Sequence, residues 1–239
     1  EDLGESLEDA SEGADKLGSG LSVATVAMGN LIASGIQAAL NGIKELGSTI
    51  WNLDEATEEY RVAQGKLTTA FEAAGYSGEA AQKSYTEFYK ILGDTDTATE
   101  ASQLLAQLAQ NEQDITKWTN IAAGVYGTFG DALPIQGMIE SANETAKVGQ
   151  VTGSLADALN WVGISEDEFN EKLAACSSES ERNRLIMETL SGAYDEASSA
   201  FYRNNEALVA SREGQAQLDE TLAGLGETIS NVKNSLRAE

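Results

Sequence analysis

The chain has 239 residues, and its 39 acidic side chains against 15 basic ones give a formal charge of −24 at pH 7. Such a charge argues against a nucleic-acid binder, which needs Lys and Arg for the phosphates, and equally against adhesion to anionic lipid. The sequence contains no His and one Cys, which excludes imidazole catalysis, a His-ligated metal and an internal disulfide. With one Pro and 41% hydrophobic residues, it predicts an all-α protein in which long heptad-patterned helices flank a compact multi-helix domain.

The N-terminal residues 1–20 are acidic and rich in glycine, which predicts a linker or a frayed helix. The chain begins at Glu1 and has no basic segment ahead of an apolar one, so we expect no signal peptide. For the same reason we expect the chain to be a piece of a longer protein.

The next stretch, LSVATVAMGNLIASGIQAALNGI over 21–43, carries no charged residue. It is long enough to cross a bilayer, and Gly29 and Ala33 have the spacing of small residues in membrane helices. Polar residues such as Asn30 and Gln37, and the lack of a flanking basic cluster, instead favour a closely packed bundle helix. A membrane segment would be built on Leu21, Val26, Leu31, Ile32, Ile36, Leu40 and Ile43.

Apolar residues then recur in alternating steps of four and three, the spacing of a helix that packs along one stripe. We predict one long amphipathic helix over 21–75, ending at Gly75 as its C′ residue. We call the stripe the N-terminal seam; it contains Ile32, Ile36, Ile43, Leu46, Ile50 and Leu53.

Residues 76–192 predict a compact α-helical domain made of short helices. Ser or Thr followed three residues later by an acidic residue predicts helix starts at Thr97, Ser154, Ser165 and Ser178. Glycines predict helix ends at Gly93, Gly163 and Gly192. The predicted core consists of Tyr85, Phe88, Leu92, Leu104, Leu108, Trp118, Ile121, Val125, Phe129, Ile139, Leu159, Trp161, Phe169, Leu173, Leu185 and Ile186.

The C-terminal residues 193–239 predict a long coiled-coil-like helix, because the four–three spacing runs from Met187 to Leu236. A helix of this length must bury its apolar stripe on a partner, so we expect self-association through helices, within the chain or with another copy. The C-terminal seam contains Leu208, Leu218, Leu222, Leu225, Ile229, Val232 and Leu236.

No motif predicts catalysis, and we assign no catalytic, cofactor-binding or metal-binding residue and expect no enzyme. Cys176 lacks the His that usually activates a thiol, so a structural role is favoured. Asp94 and Asp96 resemble the start of a calcium loop, but the twelfth position would be Leu105, and helix capping explains them better. The glycines of GVYGTFG, at 124–130, lie on one side of a helix and predict close helix packing rather than phosphate binding.

The middle of the chain resembles phage tail tape measure proteins, most closely those of long-tailed phages and prophages of Gram-positive gut bacteria. The resemblance covers about 70–215. It is carried by LGDTDTATEASQLLAQLAQNEQDITKWTNIAAGVYGTFGDALPIQGMIESANETAKVGQVTGSLADALNWVGIS and by the following SEDEFNEKLAACSSESERNRLIMETLSGAYDEASSAFYRNNEAL.

This resemblance implies a structural protein that lies as an extended helical bundle in the lumen of the virion's tail tube, after assembly in the host cytoplasm. Its length would set the length of the tube, and it would leave the tail ahead of the DNA. The implied partners are the tail tube protein, tail assembly chaperones, the baseplate hub and copies of itself, with the host membrane as a further one. No cofactor and no specific nucleic acid is implied.

Two other classes of function are compatible with the residues alone. A membrane-active, pore-forming helical protein built on 21–43 would bind lipid. A coiled-coil scaffold or adaptor, or a secreted helical effector, would have a defined cellular partner and no place in a virion.

Overall fold

A computed structural model describes residues 51–238, and this range is all-α, as predicted. It contains ten α-helices, one 3-10 helix and no strand. The helices are α1 (Leu53–Ala56), α2 (Glu58–Ala73), α3 (Gly78–Leu92), α4 (Thr95–Leu108), α5 (Glu112–Phe129), the 3-10 helix η1 (Gly130–Ala132), α6 (Ile135–Val148), α7 (Gly153–Trp161), α8 (Glu166–Ala174), α9 (Glu179–Asn204) and α10 (Glu206–Ala238).

The chain divides into two compact units. The larger unit is Tyr60–Gln217, and the described residues 51–59 and 218–238 belong to the smaller one. The larger unit therefore extends beyond the predicted domain 76–192 at both ends. It does so because α2 and the first turns of α10 bury side chains in its core, Leu67, Phe71 and Ala216 among them.

Most of the predicted core lies in the core of the larger unit. Eleven of the predicted residues are buried, and four more are half-buried against the same cluster: Leu92, Leu104, Phe129 and Leu185. The prediction is wrong for Trp161, whose side chain is 67% exposed. Large apolar side chains are mostly buried, but the rule does not hold for each of them.

Two of the four predicted helix starts are confirmed. The Ser165 hydroxyl accepts a hydrogen bond from the Glu168 amide at 3.3 Å, and the Ser178 hydroxyl accepts one from the Glu181 amide at 3.2 Å. The start predicted at Thr97 is wrong, because Asp94 caps α4 three residues earlier by accepting from the Thr97 amide at 2.9 Å. The Ser154 amide donates instead to the Ser141 hydroxyl, and α7 begins at Gly153.

Glycines in the left-handed conformation end several helices, where a residue with a Cβ would be strained. Gly75 has φ 88°, and the Tyr76 amide reaches back to the Phe71 carbonyl at 2.9 Å, which completes the predicted C-terminal cap of α2. Gly93 and Gly163 also end helices as predicted, with φ 73° and 78°. The end predicted at Gly192 is wrong, because α9 runs through it.

Two arginines from distant parts of the sequence close the C-terminal ends of α3 and α6. Arg212 donates to the carbonyls of Lys90 and Ile91, at 3.2 and 2.6 Å. Arg182 donates to the carbonyls of Ala146 and Lys147. The last carbonyls of a helix have no partner within the helix, and a cation there also complements the helix dipole. We call these contacts the arginine clamps.

The C-terminal helical stretch is interrupted at Asn205, which lies between α9 and α10. Its side-chain amide donates to the Phe201 carbonyl at 2.8 Å, and its own backbone N–H donates to the same oxygen at 3.0 Å. An asparagine side chain that competes for backbone groups in this way favours a break in a helix. The stretch is therefore two helices rather than the single predicted one.

Candidate functional site: the helix-packing surfaces

The contact between α5 and α9 uses the small residues predicted for close packing. A Cβ added to Gly124 would lie 2.5 Å from the Tyr194 carbonyl oxygen and 2.9 Å from the Tyr194 Cβ. A Cβ added to Gly127 would lie 3.1 Å from the Cβ of Phe201. The interpretation of these two glycines as packing residues is confirmed. The third glycine, Gly130, has φ 56° and lies where α5 gives way to η1.

Most of the predicted N-terminal seam lies outside the described residues: Ile32, Ile36, Ile43, Leu46 and Ile50. The same holds for every residue assigned to a membrane segment, namely Leu21, Val26, Leu31, Ile32, Ile36, Leu40 and Ile43. Leu53 is described and half-buried in α1. The predicted helix 21–75 is not continuous after residue 50, since Thr57 separates α1 from α2. Between residues 51 and 238, no helix is both long enough and apolar enough to span a bilayer.

Within the smaller unit, α1 and the C-terminal part of α10 pair in opposite directions. Lys233 donates to the Asp54 carboxylate at 2.6 Å, and its ammonium lies 5.5 Å from the ring centroid of Trp51. About two turns before Lys233 on α10, a Cβ added to Gly226 would lie 2.8 Å from the Leu53 carbonyl oxygen. The hydrogen bond from Lys233 lowers the pKa of Asp54 from its ordinary value. A charged pair and a close backbone approach thus lie at two separate points of the contact between α1 and α10.

The buried stripe of the C-terminal helices follows the predicted seam as far as Phe201, departs from it between Asn205 and Gly226, and meets it again at Ile229. In α9, Met187, Leu190 and Tyr194 are buried as predicted. In α10, the buried positions include Ala216, Ala223 and Gly226, each one residue later than the predicted Gln215, Leu222 and Leu225. The shift begins after the break at Asn205, and a four–three register is expected to hold only along an uninterrupted helix.

The shift leaves several seam residues on the surface of the chain. Leu208 is 45% exposed, Leu218 is 37% exposed and Leu236 is 59% exposed. Leu222, Leu225 and Val232 are half-buried, and Ile229 is buried. Packing within the chain therefore does not bury Leu208, Leu218 and Leu236. Their part in self-association stays a prediction.

Two tyrosines of the larger unit, the buried Tyr194 and the half-buried Tyr202, predict a loss of stability at alkaline pH. Burial raises the pKa of Tyr194 and of Tyr202 to about 12, and Glu87 adds to the shift of Tyr202. In the unfolded chain a tyrosine ionises near pH 10. The stabilisation is therefore complete below about pH 10 and is lost as the pH rises toward 12.

Replacing Tyr202 by Phe tests this dependence. We expect the free energy of unfolding of Tyr202→Phe, from urea titrations, to fall less between pH 10 and 12 than that of the unchanged protein. The hydroxyl of Tyr202 is buried without a hydrogen-bond partner, so its removal leaves no other polar group unpaired. An unchanged slope against pH in the variant would contradict the assignment.

Cys176 and Asp94, the residues weighed for chemical roles from the sequence, lie at the ends of different helices. The Cys176 thiol is half-buried near the end of α8, 3.5 Å from the Lys172 carbonyl. Asp94 caps α4, and hydrogen bonds from Thr97 lower the pKa of its carboxyl. Among residues 51–238, no three Cys, Asp or Glu side chains come together as metal ligands would.

Comparison of the chain with protein-family models, with curated proteins and with solved structures finds no match.

Proposed function

We propose that the chain is a structural segment of a phage tail tape measure protein. The observation that carries the proposal is the stretch 92–208, whose sequence resembles that family. The resemblance covers about 70–215, which lies within the larger compact unit, Tyr60–Gln217, and takes in most of it. A stretch that resembles a family over the bounds of one folded unit is better support than a short motif.

The lengths of the C-terminal helices also suit a structural role. The helices α9 and α10 contain 26 and 33 residues, so α10 alone is about 50 Å long at a rise of roughly 1.5 Å per residue. Such helices convert a number of residues directly into a distance. The net charge of −24 would also keep the protein from adhering to DNA that follows it through a tube.

The proposal places the chain in the lumen of the tail tube in the virion and in the host cytoplasm during assembly. Its partners there would be other copies of the chain, the tail tube protein, tail assembly chaperones and the baseplate hub. The exposed Leu208, Leu218 and Leu236 are apolar positions that such contacts would cover.

A ruler function predicts that tail length follows the number of helical residues. We expect the deletion of seven heptads from the helical region of the parent protein, outside Tyr60–Gln217, to shorten tails by about 75 Å per 50 residues removed. Tail lengths are measured by electron microscopy of purified particles, and mass spectrometry of the same particles tests whether the chain is present.

The matched control replaces the deleted heptads by an unrelated helical sequence of equal length. A ruler responds to length, so this variant should give tails of the original length. Shortened particles in the control, or unchanged tails after the deletion, would exclude a ruler function for that region. If the chain is absent from purified particles, a location in the virion is excluded.

A further inference from the structure

The residue for which the core prediction fails, Trp161, is the most exposed of the large hydrophobic side chains in the described part of the chain. Tryptophan is enriched at protein interfaces, where its large ring packs against the partner and its N–H can form a hydrogen bond. A single exposed apolar residue needs no explanation by itself. The surroundings of Trp161 therefore decide whether it has a role.

The backbone beneath Trp161 is held firmly. It is the last residue of α7, and the Ile164 amide returns to the Leu159 carbonyl at 3.0 Å while the Gly163 amide returns to that of Asn160 at 3.0 Å. These two hydrogen bonds cap the C-terminal end of the helix, with Gly163 at φ 78°. The indole also packs edge-on against Phe129, with 5.2 Å between ring centroids. The ring is thus supported on one side and open on the other.

Trp161 forms one wall of an open cleft of about 430 Å³. The other residues around it are Phe129, Ala132, Leu133, Asp157 and Asn160. Leu133 is buried and provides an apolar floor, whereas Asp157 and Asn160 are exposed at the side. The volume lies within the range of protein sites that take a small molecule or a side chain.

The cleft carries the negative charge of Asp157, and no basic residue among those around the cleft neutralises it. Asp157 precedes Trp161 by four residues on α7, so the carboxylate and the indole lie on the same side of the helix. None of the residues around the cleft is basic. Between Trp118 and Glu181, the sequence has two basic residues against ten acidic ones.

The geometry points to a docking cleft for an Arg or Lys side chain, flanked by apolar residues, on a segment of a partner protein. A cation over an indole face is attracted by the ring, and a carboxylate one helical turn away pairs with the same charge. The apolar floor receives the aliphatic stem of the side chain and its neighbours. This inference does not rest on the proposed function, since the cleft is defined by its own residues.

The test uses three synthetic peptides, acetyl-Gly-Leu-Xaa-Leu-Gly-amide, in which the central residue is Arg, Gln or Glu. Binding to the full chain is followed through the indole N–H signals in ¹H–¹⁵N spectra, and loss of one signal in Trp161→Phe assigns it. We expect the Arg peptide to shift the Trp161 signal saturably and the buried Trp118 signal to stay in place. We expect the Arg peptide to bind about three- to tenfold more tightly than the Gln peptide.

The variant Asp157→Asn should lower the affinity ratio of the Arg and Gln peptides, leaving only the part that the attraction of the Trp161 ring for the cation supplies. The matched control, Asp195→Asn, changes another exposed carboxylate, on α9 and away from the residues around the cleft, and should keep the ratio. Equal shifts with all three peptides, or no saturable shift, would overturn the inference. A Trp161 signal that moves with protein concentration alone would also overturn it, because a second copy of the chain would then occupy the cleft.

Discussion

Replacing Gly124 by Ala lowers the free energy of unfolding of the larger unit by about 1–3 kcal/mol, the range found when a packed core is overfilled. The added Cβ would meet the Tyr194 carbonyl oxygen at 2.5 Å, the Tyr194 Cβ at 2.9 Å and the Ser198 amide nitrogen at 3.1 Å. Two of these atoms belong to the backbone of α9, so a change of side-chain rotamer cannot relieve the overlap. The helices α5 and α9 must therefore move apart. The measurement is urea unfolding followed by circular dichroism and by the fluorescence of the buried Trp118.

The same substitution at Gly192 is the matched control. Gly192 lies within α9, and a Cβ added there meets nothing within 4 Å. Alanine is favoured over glycine inside a helix, so Gly192→Ala should stabilise the protein by about 0.5–1 kcal/mol. The two variants are thus expected to change stability in opposite directions. A gain in stability for Gly124→Ala would show that the two helices do not approach as closely as described.

The second large effect is expected in the smaller unit, at Gly226. A Cβ there would overlap the Thr57 hydroxyl oxygen and lie 2.8 Å from the Leu53 carbonyl oxygen. Gly226→Ala should therefore weaken the pairing of α1 with α10 by about 1–3 kcal/mol. Hydrogen exchange measured by mass spectrometry should report faster exchange in peptides from 218–238 and little change in peptides from α5.

Gly224 supplies the control two residues away. It lies on the same helix, is exposed, and would place a Cβ in open space. Gly224→Ala should slow exchange over 218–238, because it raises the helix propensity without disturbing a contact. If both variants speed exchange equally, the glycines act through the helix backbone alone, and the close approach to Thr57 is not needed.

Local signals in the sequence predicted those features that depend on neighbouring residues. Ser165 and Ser178 cap helices because each is followed by three residues that supply the first free amides. Gly75 ends α2 because only a residue without a Cβ takes its conformation easily. Most large apolar residues of 76–192 are buried for the general reason that water excludes them.

Features that depend on residues far apart in the sequence are not predicted by local patterns. The arginine clamps join residues far apart in the sequence: Arg182 and Ala146 are 36 positions apart, and Arg212 and Ile91 are 121 apart. No short sequence pattern predicts such contacts. The break at Asn205 has no Gly or Pro signal, so the sequence predicts one continuous helix, and its predicted seam is one residue out of phase with the buried Ala216, Ala223 and Gly226. The exposure of Trp161 depends on how α7 lies against Phe129, and periodicity within α7 holds no information on that.

The arginine clamps also bear on the order in which the chain can be completed during synthesis. Arg182 follows the last carbonyls of α6 by about 36 residues, whereas Arg212 follows those of α3 by about 121. At about 5–20 residues per second, the end of α6 waits roughly 2–7 s for its arginine and the end of α3 waits roughly 6–24 s. The helix made first is therefore the later of the two to be closed, and the larger unit can finish folding only after its last turns leave the ribosome.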